Sequence, residues 1–523
     1  MISTAIASDL LPAGLAAAEP TNPVRSLVGF YLHACWDFAY PYAVRSWSPD
    51  DYRGMFRLLR RLDFDTVMLW PVVEAIPMPL SAADRADLQH FRSTIADAQA
   101  AGLRCWLTQC AALGCDPAIA AKPWLERNFY PARRIVRLDD AAQRQDYFAH
   151  RAAIMGELNN ADAYVTIDGD PGGYAGARPG DFVDIFRADR ATIARVGSHP
   201  REQQVIPWLW AGWGTAGVWT ESVAPYLAAS AAALAAARPE LEPFSVLPGR
   251  NFTIEHHNRR HCLEAVARHG LAAAAVTFLY QAIEFEPIPP AIEPAFDRIR
   301  TMMHQEAAGI RAGRGVFGNA QQPLLQLPNL WFFARAARDP AYLDRPDATV
   351  FADLAAFLGG DPTLLSPAWR SLRAELAELP PDLPQRLRAA RLGPAADDLP
   401  GGGARYLDLL ARQVECRRAC LLASATSPAD AENGDTDAVA RCVAGCAAII
   451  AWWQDNRYVF DGADGVGFRW HHVHEGLRCE FDAWVQRNQK RLRHQRPAIL
   501  AGLAGVLPAE QLAARVTDLL GAP

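Results

Sequence analysis

Between residue 26 and about residue 340, short apolar runs alternate with longer stretches of helical spacing, and few folds accept such a chain. The apolar runs are Ser26 to Cys35, Asp65 to Val73, Leu103 to Ala111, a central run from Ala163, Gln204 to Gly214, Pro243 to Leu247, Ala273 to Phe285, and an irregular last region, Gly315 to Phe333. Between them lie predicted helices. Pro49 to Leu62 carries Tyr52, Met55, Phe56 and Leu59 on one face, with Ser48 as its N-cap. Asp84 to Ala101 stops at Gly102. Asp140 to Leu158, Asp181 to Val196, the Ala-rich Ser222 to Ala237, 257–269 and Ala295 to Ala312 complete the set. Eight strands alternating with helices predict a (β/α)8 barrel. An open doubly wound sheet is the rival, but no Gly-rich phosphate fingerprint follows the first strand.

After Pro346 no strand candidate remains, and Leu, Ala and Arg recur at helical spacing. The expected organisation is a loose segment 1–24, an α/β barrel of TIM type over 25–345, and an all-α C-terminal domain over 346–523.

The central run, Ala163 to Gly173, reads AYVTIDGDPGG. Apolar residues lead into Asp168 and Asp170, and Pro171-Gly172-Gly173 follows. On an extended backbone, residues two apart share a side at about 6.5 Å. Two carboxyls that close do not both ionise easily, so one is pushed toward neutrality. A protonated acid beside an ionised one is the equipment for cleaving a glycosidic bond. Turn-forming, solvated carboxylates are the plain alternative.

A parallel barrel gathers working residues at the C-terminal ends of its strands. Those ends offer His33, Trp36 and Asp37; Trp70 and Glu74; Gln109; Asp168 and Asp170; Trp208, Trp210 and Trp213; Arg250, Asn251, Glu255, His256 and His257; Tyr280, Gln281, Glu284 and Glu286; and Asn319, Gln321 and Gln322. Acids, amides and tryptophans at one mouth suit a carbohydrate. The narrower selection is Asp168 and Asp170 as catalytic acids, with Trp36, Asp37, Trp70, Gln109, Trp210, Trp213, Tyr280, Glu284 and Glu286 binding the substrate. Each has its plainer reading: Asp37 as a turn residue, Glu284 and Glu286 as a solvated rim, and much of the tryptophan as core.

The formal net charge of −6 and the absence of a basic stripe exclude a nucleic-acid surface. No apolar run of membrane-spanning length occurs. The first 24 residues lack a basic n-region and a clear apolar core, so no signal peptide is expected, and a soluble, cytoplasmic chain is. The ten cysteines, including the twin pairs Cys416/Cys420 and Cys442/Cys446, are then expected as reduced thiols. Neither Glu255-His256-His257 nor His471-His472-Val473-His474-Glu475 has the His spacing of a zinc helix, so no metal is expected.

The central run resembles the fourth-strand acid motif of the retaining hexosaminidase and chitinase-type glycoside hydrolases. Those barrels carry Asp-Glu or Asp-x-Glu there, whereas this chain has Asp168-Gly169-Asp170, with a shorter second acid. A barrel followed by a long helical region also looks like α-glucuronidase of family 67. The segments GVFGNAQQPLLQLPN (Gly315 to Asn329) and LYQAIEFEP (Leu279 to Pro287) resemble glycosidase-like barrels of bacterial type. The resemblance implies a glycoside hydrolase with an oligosaccharide or glycoside substrate and no cofactor. Asp170 would be the general acid, and Asp168 would orient the substrate or stabilise positive charge. Trp36, Trp70, Trp210 and Trp213 would stack on sugars, and Tyr280 and Glu284 would bond hydroxyls. A carbohydrate-binding barrel without catalysis, or a metal-assisted hydrolase using His33, Asp168 and His257, are the alternatives.

Overall fold

Eight parallel strands close into a barrel in the order β1-β10-β9-β8-β7-β6-β3-β2. They are β1 (Leu27–Leu32), β2 (Thr66–Leu69), β3 (Arg104–Cys110), β6 (Ala163–Asp168), β7 (Gln204–Leu209), β8 (Leu247–Arg250), β9 (Val276–Leu279) and β10 (Gly315–Ala320). Two short strands, β4 (Leu113–Cys115) and β5 (Arg133–Ile135), form an antiparallel ribbon after β3 that the apolar pattern does not announce. This computed structural model describes residues 26–33, 40–41, 44–121, 133–168, 174, 176–210, 223–250, 261–280, 282–283, 294–320, 322–372 and 380–424, with short pieces at 436–438, 440–441, 443–444, 496–502, 504, 513 and 517.

The helices follow the predicted spacing: α1 (Pro49–Arg61), α2 (Ala82–Ala100), a single turn α3 (Pro117–Ala120), α4 (Ala141–Glu157), α5 (Pro179–Val196), α6 (Val223–Leu241), α7 (His261–Arg268) and α8 (Phe296–Ala312). Ser48 caps α1 as expected. Its hydroxyl accepts the Asp51 N–H at 3.2 Å, and the Asp51 carboxylate accepts the Ser48 N–H at 2.9 Å. With Pro49 in the first turn, this satisfies donors that a helix start otherwise leaves open.

Closure rests on β1 pairing with β10 over six residues, from Leu27 opposite Gly315 to Leu32 opposite Ala320. Gly315 has φ +146, and a Cβ there would strike the Leu27 carbonyl, so only glycine lets the two strands begin together. Arg338 fastens the same corner by donating to Asp65 Oδ2 at 2.5 Å, to the Asp63 carbonyl at 2.9 Å and to the Ser26 carbonyl. The lumen is packed with rings. Trp106 stacks on Phe317 at 4.9 Å, and Tyr31 meets Trp208 edge-on at 5.4 Å.

One expected element changes type. The last strand region was expected to run from Gly315 to Phe333, but β10 stops at Ala320 and Leu327–Arg338 is a helix, α9, with Pro328 in its first turn. Leu327, Leu330, Trp331, Phe332 and Phe333 are all buried, because α9 is covered on several sides. A helix without a polar face reads like a buried strand. The sixth strand also shifts, to Leu247–Arg250 instead of Pro243–Leu247, and the seventh shortens to Val276–Leu279.

The named elements after α9 are all helical: α10 (Asp347–Phe357), α11 (Pro362–Ser371), α12 (Leu383–Ala389), α13 (Gly402–Ser424) and a last helix, Arg496–Gly502. They do not stand apart from the barrel. Buried apolar residues form one cluster from Leu27 to Val414. Arg57 and Arg61 of α1 reach Asp398 at 2.8 and 3.4 Å, and Gly54 lets the Asp398 carbonyl lie against α1.

A Cβ on Gly29 would overlap the Phe317 ring in the lumen. Gly29→Ala should therefore destabilise by about 1–3 kcal/mol, the usual range for overpacking. Phe317→Leu on the Gly29→Ala background should recover part of that loss. Chemical denaturation checks both, and additive losses would show that the two positions do not share that space.

Candidate active site at the barrel mouth

Strand register decides which side chains face the lumen. Trp208 and Trp210 lie there, since Trp208 packs on Tyr31 and Phe278, and Trp210 on Tyr280 at 4.7 Å. Trp208 is opposite Ile167, which is opposite Cys110, so these share the inner side, as do Val165 and Thr108. The intervening residues face the helices. Tyr164 donates its hydroxyl hydrogen to the Leu158 carbonyl at 2.9 Å, and the Thr166 hydroxyl accepts from Arg151 of α4 at 2.8 Å.

Gln109 pairs in register with Thr166. Its position is therefore on the helix side of β3. The alternation of a strand, not nearness to its end, decides which face a side chain joins.

Four of the expected site residues have described side chains besides the acid strand, and all are buried: Trp70, Gln109, Trp210 and Tyr280. Trp70 donates its indole N–H to Glu74 Oε2 at 3.3 Å, and the other Glu74 oxygen accepts the Cys110 N–H. Trp210 and Tyr280 cover each other edge to face. Asp168 is the last residue of β6, opposite Leu209. The Asp168 side chain, and Trp36, Asp37, Asp170, Trp213, Glu284 and Glu286 entirely, lie outside the described residues. So do His257, Cys442 and Cys446.

The lumen below the mouth holds polar atoms that the chain itself does not use. Thr108 Oγ1 and Trp208 Nε1 are buried and make no hydrogen bond. Such a group left unpaired destabilises by about 1–3 kcal/mol, so a bound hydroxyl has something to gain there. His33 follows β1 beside Tyr31, ring to ring at 3.9 Å. Burial pushes its pKa down to about 3, so it is neutral at ordinary pH. Burial pushes Glu74 up, against the hydrogen bonds from Cys110, its own backbone and Trp70, and against the charge of Arg151.

Behind β3 and β6 lies a second polar group that the strand-end reading missed. Arg151 makes a bidentate pair with Asp189 of α5, at 3.0 Å from Nε and 2.5 Å from Nη2. Its guanidinium also reaches the Tyr147 hydroxyl at 3.2 Å and the Cys110 carbonyl at 3.4 Å. Burial is the largest single influence and opposes the charge of Arg151, but Asp189, Tyr147 and Glu74 together hold the guanidinium above its ordinary value. The sequence does carry a signal for this pair. Arg151 shares the buried face of α4 with Tyr147, Ile154 and Met155, and Asp189 lies among the buried Phe182, Ile185, Phe186 and Ile193 of α5. A charge in an apolar stripe needs a buried partner.

A cavity of about 470 Å³ opens on the flank, between the turn after β2, the β4–β5 ribbon and α4. Ile76, Met78, Cys115, Arg134, Asp146 and His150 are among its lining residues, and none of the lumen residues lines it. Among the described residues no cluster of His, Cys, Asp and Glu could hold a metal, and no helix is long and apolar enough to cross a membrane.

No family model and no curated protein matches the chain. Among solved structures it is similar to an O-GlcNAc hydrolase from Thermobaculum terrenum, at 11% identity and a TM-score of 0.41, covering 95% of this chain and 94% of that one. It is also similar to a Streptomyces plicatus beta-hexosaminidase, at 13% identity and 0.38, covering 64% and 67%. A third is a GH5-4 broad-specificity endoglucanase from an uncultured bacterium, at 10% identity and 0.38, covering 60% and 94%. These are distant likenesses of fold.

A buried neutral His33 makes stability fall in acid. The unfolded imidazole takes its proton near pH 6.5, the folded one only near 3, so the contribution is whole above 6.5 and is lost as pH falls between them. The loss is on the order of 5 kcal/mol at its limit. His150, half-buried and pushed down to about 4 by burial, adds in the same direction. His33→Gln should flatten the decline in urea-unfolding stability between pH 6.5 and 4. Parallel profiles for the two proteins would place the titration elsewhere.

Proposed function

We propose that this protein is a glycoside hydrolase, cleaving a glycosidic bond with Asp168 and Asp170 at the end of the fourth barrel strand. The observation that carries the reading is that Asp168 closes β6 at the C-terminal mouth of a closed parallel barrel, with a second acid two residues on. In this reading Asp170 protonates the leaving oxygen, and Asp168 stays ionised and stabilises the positive charge that develops on the sugar. In the same reading Trp70, Trp210 and Tyr280 contact the substrate, and Trp36, Asp37, Trp213, Glu284 and Glu286 are the further substrate-binding candidates. Thr108 and Trp208 favour a hydroxyl-rich ligand, since both hold unused hydrogen-bonding groups on the lumen side.

In this reading the two acids depart from the alternation that puts Tyr164 and Thr166 on the helix side, and the sequence places Gly169 between them. Glycine permits backbone conformations that other residues rarely adopt.

A general acid contributes about 10²- to 10⁴-fold in rate. Asp170→Asn should lose that much on glycosides with poor leaving groups and much less on activated aryl-glycosides, which depart without protonation. Asp168→Asn should damage both substrate types alike. Turnover of uronides, N-acetylhexosaminides and simple hexosides by the purified variants checks this. If both variants keep wild-type rates on every substrate hydrolysed, the acid pair is not the catalytic centre.

A further inference from the structure

We propose that Arg151, acting through Thr166, is the positioning residue for the strand end that carries Asp168 and Asp170; this rests on the proposed role of those two acids. Thr166 lies two residues before Asp168 on β6, and its hydroxyl accepts the Arg151 Nη2–H at 2.8 Å. The same guanidinium reaches the last residue of β3, through the Cys110 carbonyl at 3.4 Å. Tyr147 supports that end of β3 as well. Its hydroxyl lies 3.4 Å from the Cys110 carbonyl and accepts the Ala112 N–H at 3.1 Å. Arg151 itself is fixed by Asp189 from the neighbouring helix, and both side chains are buried, at 4% and 1% exposure.

Stability alone does not explain an ion pair here. Taking two charges out of water opposes folding, and well-packed apolar residues of similar volume commonly hold a fold as well or better. An apolar pair, however, offers no hydrogen bond to Thr166 or to Cys110. What the guanidinium adds is a planar, directional link between α4, α5, β3 and β6 at the level where the barrel opens. The link is made from behind the sheet, at Thr166, two residues before Asp168, so the strand end that leads into the acids starts from a fixed point.

The test separates the strand contact from the ion pair. Thr166→Val keeps the shape and the Arg151–Asp189 pair but removes the hydroxyl. It should lower kcat by about 10- to 100-fold on glycosides with poor leaving groups, the scale of a small misplacement of catalytic groups. KM should stay near the wild-type value and the thermal midpoint should hold, whereas Thr166→Ser should restore kcat. The double variant Arg151→Met with Asp189→Leu should show the same kcat loss in a folded protein. If that double variant does not fold, the two Thr166 variants decide alone. A Thr166→Val enzyme with wild-type kcat overturns the positioning role, and if Asp170→Asn is inactive in the same assay the acid assignment survives. Wild-type rates for Asp170→Asn overturn both.

Discussion

Everything at the mouth depends on β1 finding β10. The two strands are almost three hundred residues apart in the chain, and no local signal pairs them. Their pairing removes the last open edge of the sheet, and with it the unpaired N–H and C=O groups that an edge presents. Gly315 gives the two backbones room to start in register, and Gly29 gives room to Phe317 one turn of the pleat further on. Arg338, reaching back from α9 to Asp65 and to carbonyls at Ser26 and Asp63, fixes the same corner with hydrogen bonds. Without that closure, His33, Cys110, Trp208 and Tyr280 belong to separate strands and share no site.

Closure also sorts the polar residues into two groups with opposite character. On the helix side of β3 and β6, Arg151, Asp189, Thr166 and Tyr147 bond mainly to one another, as buried charges require. On the lumen side, Thr108 and Trp208 hold polar atoms without partners. A barrel interior that is otherwise filled with Tyr31, Trp106, Phe278 and Phe317 has no structural need for them. The first group serves rigidity.

Helices α10 to α13 extend the same core. Phe351 of α10 packs on Phe296 of α8 at 5.1 Å and on Trp369 of α11 at 5.9 Å, so apolar contact passes outward from the barrel helices. Asp398 then returns to α1 through Arg57 and Arg61. A change of secondary-structure character along a chain marks where strands end, and it need not mark where a hydrophobic core ends.

Periodicity alone determined the barrel, the order of its strands and most of its helices, because burial on both faces of a parallel strand and on one face of each helix writes itself into local order. It placed α1 within a residue, with its Ser48 cap, and the beginning and end of β6. It did not determine α9, whose all-round burial erases the helical stripe, or the β4–β5 ribbon, which is too short to show a pattern. It marked Asp168 by its place at a strand end, but the face of the sheet that Gln109 joins follows from its pairing with Thr166, far along the chain, which periodicity does not give. Arg151 and Asp189 were visible only as charges in apolar stripes. That they meet, and that they meet behind the strand carrying the acids, was decided by tertiary structure, because α4 and α5 approach each other only when both pack against the closed sheet.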